Sequence, residues 1–380
     1  MLIEDRRMTT YKRLGDYIRE VNVRNRELKV TNLLGVSISK EFMPSIANTI
    51  GTDMSTYKIV ERGQFAYGPV TSRNGDKVSI ALLDGYDDAI ISQAYTVFEV
   101  IDHEQLLPEY LMMWFRRPEF DRYARFHSHG SAREIFDWDE LCDVMLPVPS
   151  ITRQREIVAE YETLTNRIRL NNQMIQHLET TAQALYQKTF VDNIDKENLP
   201  EGWRMGTLSE LAIITMGQSP DGETYNTNGD GTIFYQGRTD FGRRFPSARV
   251  YTTSPTRFAK EGDVLLSVRA PVGDINIAPH NCCIGRGLAS LRCKTDAQGY
   301  LYYQLQDLTD VFNVSDDEGT IFGSINKDDL YNIEIVIPKK EDISIFESQV
   351  SIIDSEIKIR DSEINKLTEL QSLLLAKMGQ

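Results

Sequence analysis

The chain has 380 residues, 41% of them hydrophobic and 26% charged, and a formal net charge of −14. That length exceeds one ordinary domain and predicts two or three cores. No apolar run approaches the roughly 20 residues that cross a bilayer, and Met1 to Thr10 hold no apolar signal region, so a cytoplasmic protein is expected. The acidity argues against a protein that coats nucleic acid through overall positive charge; DNA contact would need local basic patches or a partner's charge.

In chain order, the first half is mixed in pattern. It holds turn signals at Asn74-Gly75 and Asp84-Gly85, a strand-like alternation from Tyr95 to Val100, and a predicted helix from Pro108 to Arg125. The segment from Gly130 to Pro149 (GSAREIFDWDELCDVMLPVP) then aligns without gaps on Gly319 to Pro338 (GTIFGSINKDDLYNIEIVIP), a shift of 189 residues set by Leu141 and Leu330. Each copy reads as a short acidic helix start, a strand, and a terminating proline. Each proline leads into a long helical stretch. In the first copy Ile157, Tyr161, Leu164, Ile168, Asn171, Ile175, Leu178, Ala182 and Leu185 recur at steps of four and three. At the same shift stand Phe346, Val350, Ile353, Ile357, Arg360, Ile364, Leu367, Gln371 and Leu374. Beyond these heptad seams both helices are strongly polar, and a helix apolar along one narrow stripe calls for a partner with the same stripe.

Between the helices a polar link, Val191 to Gly202, suits a domain boundary. The second half has a turn-rich stretch from Gln218 to Gly231, strands at Val264–Val268 and Ala289–Cys293, and a predicted helix from Ala297 to Phe312. The predicted fold is α+β: two pseudo-two-fold-related domains separated by two long helices that pair as an antiparallel coiled coil. Its expected divisions are 1–149, 150–190, 191–338 and 339–380. Asn171 and Arg360 then fall in neighbouring layers near the middle of the seam, where polar residues can fix register.

Catalytic signatures are missing. The sequence has no GxxxxGK[ST], GxGxxG, HExxH or GxSxG, and no Asn-Pro-Pro-Tyr or Asp-Pro-Pro-Tyr. Gly285-Arg286-Gly287 is too short for a phosphate cradle and reads as a tight turn. Asp16, Glu27 and Lys29 are loosely spaced as in a metal nuclease, but equally suit a solvated surface. His127 and His129 lack a nearby third ligand and read as polar loop contacts, and Cys142, Cys282, Cys283 and Cys293 have neither CxxC spacing nor a disulfide pattern. No metal site is expected. What remains is basic. Arg238, Arg243, Arg244, Arg249, Arg257, Lys260 and Arg269 are interleaved with Phe234, Tyr235, Phe241, Phe245 and Tyr251, a composition suited to gripping phosphates or guanine edges. In the first half Arg116, Arg117, Arg122, Arg125 and Arg133 surround His127 and His129, while Lys58, Arg62, Arg73 and Lys77 lie earlier. The DNA-contact candidates are Lys58, Arg73, Lys77, Arg125, Arg133, Arg238, Arg243, Arg244, Arg249, Arg269 and Arg286; a solvated charged face is the alternative reading of such clusters.

Several longer phrases resemble the specificity subunits of type I restriction-modification systems. These are FAYGPV at Phe65–Val70, SQAYTVFEV at Ser92–Val100, LPVPSITRQREIV at Leu146–Val158, GDVLLSVRAPVGDINIA at Gly262–Ala278 and IGRGLASLR at Ile284–Arg292. The resemblance implies two target-recognition domains, each reading half of a split, asymmetric double-stranded DNA site, with the helices as a ruler between them. It also implies two modification subunits carrying S-adenosylmethionine and methylating adenine N6, and restriction subunits using ATP and magnesium, with no cofactor in this chain. One departure stands out: the first helix opens with Gln154 where the second has Ile343, which puts identical contacts to the two modification subunits in doubt. From Ile157 to Leu185 the helix climbs about 42 Å at roughly 1.5 Å per residue, near or slightly above one turn of B-DNA at about 34–36 Å. The alternatives are a stand-alone DNA-binding protein of the same fold and a metal-dependent nuclease using Asp16, Glu27 and Lys29.

Overall fold

The computed structural model describes residues 11–45, 51–72, 74, 75, 77–130, 133–309, 312 and 324–379. They belong to two units, Met1–Asn171 with Ser362–Gln380, and Asn172–Asp361. Each unit therefore takes one mixed α/β segment, the start of the helix that comes after it, and the end of the other long helix.

In the first unit the strands are β1 (Tyr11–Arg13), β2 (Ile18–Val21), β3 (Leu34–Val36), β4 (Phe42–Pro44), β5 (Lys58–Glu61), β6 (Phe65–Tyr67), β7 (Ile80–Leu82), β8 (Asp88–Ile91) and β9 (Thr96–Val100). The central sheet is antiparallel throughout, in the order β2-β9-β6-β7, and β5 pairs with β8 beside it. Helix α1 (Pro108–Phe115) is buried at seven of its eight positions, as a helix that is apolar on most sides must be. Its Phe115 meets Phe65 edge-on at 5.8 Å, and Phe65 stacks on Phe98 of β9 at 4.8 Å. All three rings are fully buried, each contributing on the order of 2 kcal/mol relative to exposure.

The single helix predicted from Pro108 to Arg125 is two. Helix α2 (Pro118–Phe126) starts afresh with proline at its first turn, and Arg117 before it adopts extended backbone (φ −71°, ψ 136°). Proline disfavours helical geometry in the residue before it and lacks the N–H that would continue the ladder. Then come α3 (Trp138–Cys142), β10 (Met145–Pro147) and α4 (Ile151–Phe190). Strand β10 pairs with β1, so the unit's first strand closes on its last.

The second unit repeats this build. After β11 (Arg204–Thr207) and the single turn α5 (Leu208–Leu211) come β12 (Ala212–Met216), β13 (Tyr225–Asn226), β14 (Thr232–Tyr235), β15 (Tyr251–Thr252), β16 (Phe258–Ala259), β17 (Val264–Ser267), β18 (Ile275–Ile277), β19 (Cys282–Ile284) and β20 (Leu288–Cys293). The order β12-β20-β17-β18 is again antiparallel. A second sheet, β13-β15-β14-β19-β16, contains a parallel pair, β14 with β19. Helix α6 (Gln298–Asp307) ends with Leu308 as its cap, short of the predicted Phe312. Next are α7 (Lys327–Tyr331), β21 (Glu334–Ile337), which pairs with β11, and α8 (Lys340–Lys377). Helices α3 and α7 stand at the 189-residue shift read from the sequence, and their N-caps, Asp137 and Asn326, accept backbone N–H groups in the same way. Gly319, which opens the second copy of the repeat, lies outside the described residues.

Helices α4 and α8 run 40 and 38 residues. In the first unit they are antiparallel: Gln371 donates to Thr165 Oγ1 at 2.7 Å and Arg167 pairs with Glu363 at 2.7 Å, so residue numbers rise on one helix as they fall on the other. Ile157, Tyr161, Leu164, Ile168 and Asn171 are buried or partly buried here, as are Ile364, Leu367 and Leu374. In the second unit so are Ile175, Leu178, Leu185, Phe346, Val350, Ile353, Ile357 and Arg360. There Tyr186 and Phe190 hold the Phe346 ring at 5.9 and 5.2 Å. Arg360 turns back to Glu356 on its own helix.

Candidate nucleic-acid interface

The arginine-rich stretch of the second unit separates into two groups. Arg238 pairs with Asp274 at 2.5 Å, and Arg249 with the buried Asp240 at 2.5 Å. Arg243 reaches α4, pairing with Glu179 at 2.8 Å and donating to the Asn172 carbonyl. Arg244, expected to touch DNA, is only 2% exposed. Its guanidinium pairs with Asp354 of α8 at 2.5 Å, takes Tyr303 Oη as a partner at 3.3 Å and lies over the Tyr302 ring at 4.4 Å. A charge so enclosed fastens the domain to its helix and is withheld from a ligand. Burial pushes the Asp354 carboxyl up, opposed by Arg244 and the Tyr303 hydroxyl.

Arg257, Arg269 and Arg286 differ. All three are exposed, and among the described residues none has an acidic partner. Backbone hydrogen bonds draw their segments to one end of the sheets: Ile284 N–H to the Arg257 carbonyl, and Val268 N–H to the Gly287 carbonyl, both at 2.9 Å. Arg286 rides the Gly285-Arg286-Gly287 turn, whose N–H groups are tied to Tyr235 and Ser219. A Cβ on Gly287 would lie 2.8 Å from the Gln236 carbonyl oxygen, so the close backbone approach requires glycine there. Arg257, part of the predicted basic patch but not one of the DNA-contact candidates, joins this group through the β16–β19 pairing.

In the first unit Lys58, also expected at DNA, is buried on β5 with Glu20 at 3.7 Å, and burial lowers its pKa. Arg73 lies outside the described residues. Lys77 and Arg133 are exposed, and Arg125 is exposed with Glu134 as its partner. His127 and His129 both face Glu140, at 3.0 and 3.7 Å. Asp16 pairs with Arg13 at 3.8 Å while Glu27 pairs with Lys29 at 2.5 Å, all on exposed surface; the carboxylates spaced like a nuclease site stay on separate local pairs. Cys282 and Cys283 occupy successive buried positions of β19. Among the described residues no helix is long and apolar enough to cross a membrane.

Sequence reasoning missed the groups that join each domain to its long helix. Gln154 is fully buried and donates to the Gln105 and Pro149 carbonyls at 2.8 and 2.9 Å, while its Oε1 accepts the Leu107 N–H at 2.9 Å, at the start of α1. In the second unit Ile343 is packed in the core. Glu347, one helical turn on, takes over the task and accepts the Gly299 and Tyr300 N–H groups at the start of α6 at 3.1 and 2.9 Å. The Gln154/Ile343 difference therefore lies inside the units, where it changes how a helix start is capped, and not on an outward surface. Burial holds the Glu347 carboxyl above its usual range despite those two donors.

A family profile described as the type I restriction modification DNA specificity domain matches residues 200–369. The putative type I restriction enzyme MjaX specificity subunit of Methanocaldococcus jannaschii is 29% identical over 246 residues, covering 61% of this chain and 57% of that relative. The type I restriction enzyme HindI specificity subunit of Haemophilus influenzae is 21% identical over 401 aligned positions, covering 84% and 86%. The fold matches the crystal structure of a type I restriction-modification S subunit from M. genitalium with a TM-score of 0.63 at 14% identity, over 100% of this chain and 98% of that one. With two units of like build, each leading into a long seam-forming helix, the chain is similar to the specificity subunits of type I restriction-modification systems, and its residues 200–369 match their DNA specificity domain.

Proposed function

We propose that this chain selects the DNA site for a type I restriction-modification complex and leaves the chemistry to its partners. Each unit reads one half of a bipartite, asymmetric duplex site, and α4 and α8 act as the ruler between half-sites. Two modification subunits bring S-adenosylmethionine and methylate adenine N6; restriction subunits bring ATP and magnesium. The work takes place in the cytoplasm, beside the DNA it protects.

The observation that carries this reading is the contrast among arginines of the second unit, in a chain of net charge −14. Arg238, Arg243, Arg244 and Arg249 are paired with acids, whereas Arg257, Arg269 and Arg286 converge, exposed, without one among the described residues. Acid-free arginines are the groups that can give a bidentate pair to guanine O6 and N7 or grip phosphate. The test is to mix the chain with candidate adenine methyltransferase subunits and assay the complex on duplex DNA. A stable complex that methylates adenine at a two-part site is expected. Magnesium-dependent cleavage by the chain alone, or no association with any such subunit, would contradict the reading.

A further inference from the structure

The first unit holds a cleft of about 680 Å³ between α2 and the loop after β3, separate from any residue discussed as a reader of DNA except Lys77 and Arg125. Five cationic side chains, Lys40, Lys77, Arg116, Arg122 and Arg125, line it against one acid, Asp121. At its mouth Phe126, the last residue of α2, is 80% exposed, more than any other large hydrophobic residue described.

The cleft has an inner wall and an outer rim. Lys40 is 5% exposed, pairs with Asp121 at 2.8 Å, donates to the Phe115 carbonyl and lies over the Phe120 ring at 5.3 Å. Arg116 lies over the Tyr161 ring of α4 at 5.7 Å. These two charges are fixed in the structure. Lys77 and Arg122 are exposed on the rim, Arg122 pairing with Glu119 of its own helix at 3.1 Å. Phe120 and Ala124 form the buried face of α2. Phe126 stands six residues beyond Phe120, roughly 240° round the helix at about 100° per residue, so it cannot join that face. A phenylalanine left in water forgoes the gain that burial of its ring would return, and here it sits among cations.

A partner for this rim must be anionic and must also offer apolar or π surface. Duplex DNA offers both, as a regular row of phosphates flanking base steps into which an apolar wedge can insert. We propose that this cleft is the DNA-contact surface of the first unit, with Lys77 and Arg122 on phosphates and Phe126 packed against a base step. This rests on the reading of the chain as a DNA-recognition subunit and assigns the surface that reading leaves open.

The experiment measures duplex binding by fluorescence anisotropy from about 50 to 200 mM salt, with the full chain alone and with the assembly that a tagged copy draws from its own host. Variants are Phe126→Ala, the double variant Lys77→Gln/Arg122→Gln, and a charge-matched control on exposed surface elsewhere, Lys12→Gln/Lys196→Gln. The rim double variant should lower the slope of log affinity against log salt by about 1.8, or 0.9 per phosphate contact, with the control keeping the parent slope. Phe126→Ala should weaken binding about tenfold with the slope unchanged. If the parent binds DNA but Phe126→Ala matches it, or the control loses as much slope as the rim variant, the cleft is overturned and a protein partner is left for it. If neither the chain nor its assembly binds duplex at any salt, the underlying reading falls with it.

Discussion

Replacing Arg244 by methionine separates a structural arginine from a DNA-reading one. The substitution removes an ion pair to Asp354, a bond to Tyr303 Oη and a cation–π contact with Tyr302, and leaves Asp354 in a site where it is mostly enclosed. Breaking one side of a buried pair costs about 3 to 5 kcal/mol. Asp354 is 21% exposed at its side chain and still accepts the Tyr303 hydroxyl at 2.9 Å, which places the cost near the lower end, at about 3 kcal/mol. Because α6 carries Tyr302 and Tyr303, its amides report the loss. Hydrogen exchange across Gln298–Asp307 should quicken roughly a hundredfold in the native full chain. Adding Asp354→Leu should return protection to within about 1 kcal/mol of the parent, because an apolar pair needs no desolvated charge. Unchanged α6 protection together with a large loss of DNA affinity in Arg244→Met would refute the structural assignment.

Gln154→Ala strips three bonds from the start of α1 and the Pro149 carbonyl and should destabilise the first unit by about 2 to 3 kcal/mol, read as faster exchange across Pro108–Phe115. Glu347 has a folded pKa raised above 4.5 by burial, so its contribution to stability is full below that value and is lost as pH rises through the raised pKa. Glu347→Gln should therefore improve relative to the parent between about pH 4 and pH 8; a stability difference that does not change with pH would contradict this. Ile345, Ile352 and Ile359 recur every seven residues on α8 and are 60, 72 and 59% exposed. Ile352→Glu should leave the melting temperature within about 1 °C of the parent and weaken assembly with a modification subunit in a pull-down.

The long helices were legible because a heptad seam is a local signal, renewed every three or four residues and stated twice in this chain. The seam positions from Ile157 to Leu374 are buried or partly buried as that period requires. The Gly-Arg-Gly turn was legible too, since only close backbone approach calls for that spacing. The roles of individual arginines were not, because each depends on an acid far along the chain: Arg238 on Asp274, Arg243 on Glu179, Arg244 on Asp354. A basic cluster in sequence looks the same whether its charges are spent or free. The capping by Gln154 and Glu347 was hidden for the same reason, as each side chain serves a helix start some fifty residues before it. Phe126 did leave a trace, an aromatic residue off the buried face of an amphipathic helix, visible only once Pro118 had fixed where that helix begins.

The central claim, that this chain chooses where its partners act, is tested most directly by mapping methylated adenines across the host genome by single-molecule sequencing, with and without its gene. The account predicts that one two-part motif loses methylation throughout the genome when the gene is deleted, and regains it when the gene is restored. A methylation pattern that is the same in both strains would contradict it.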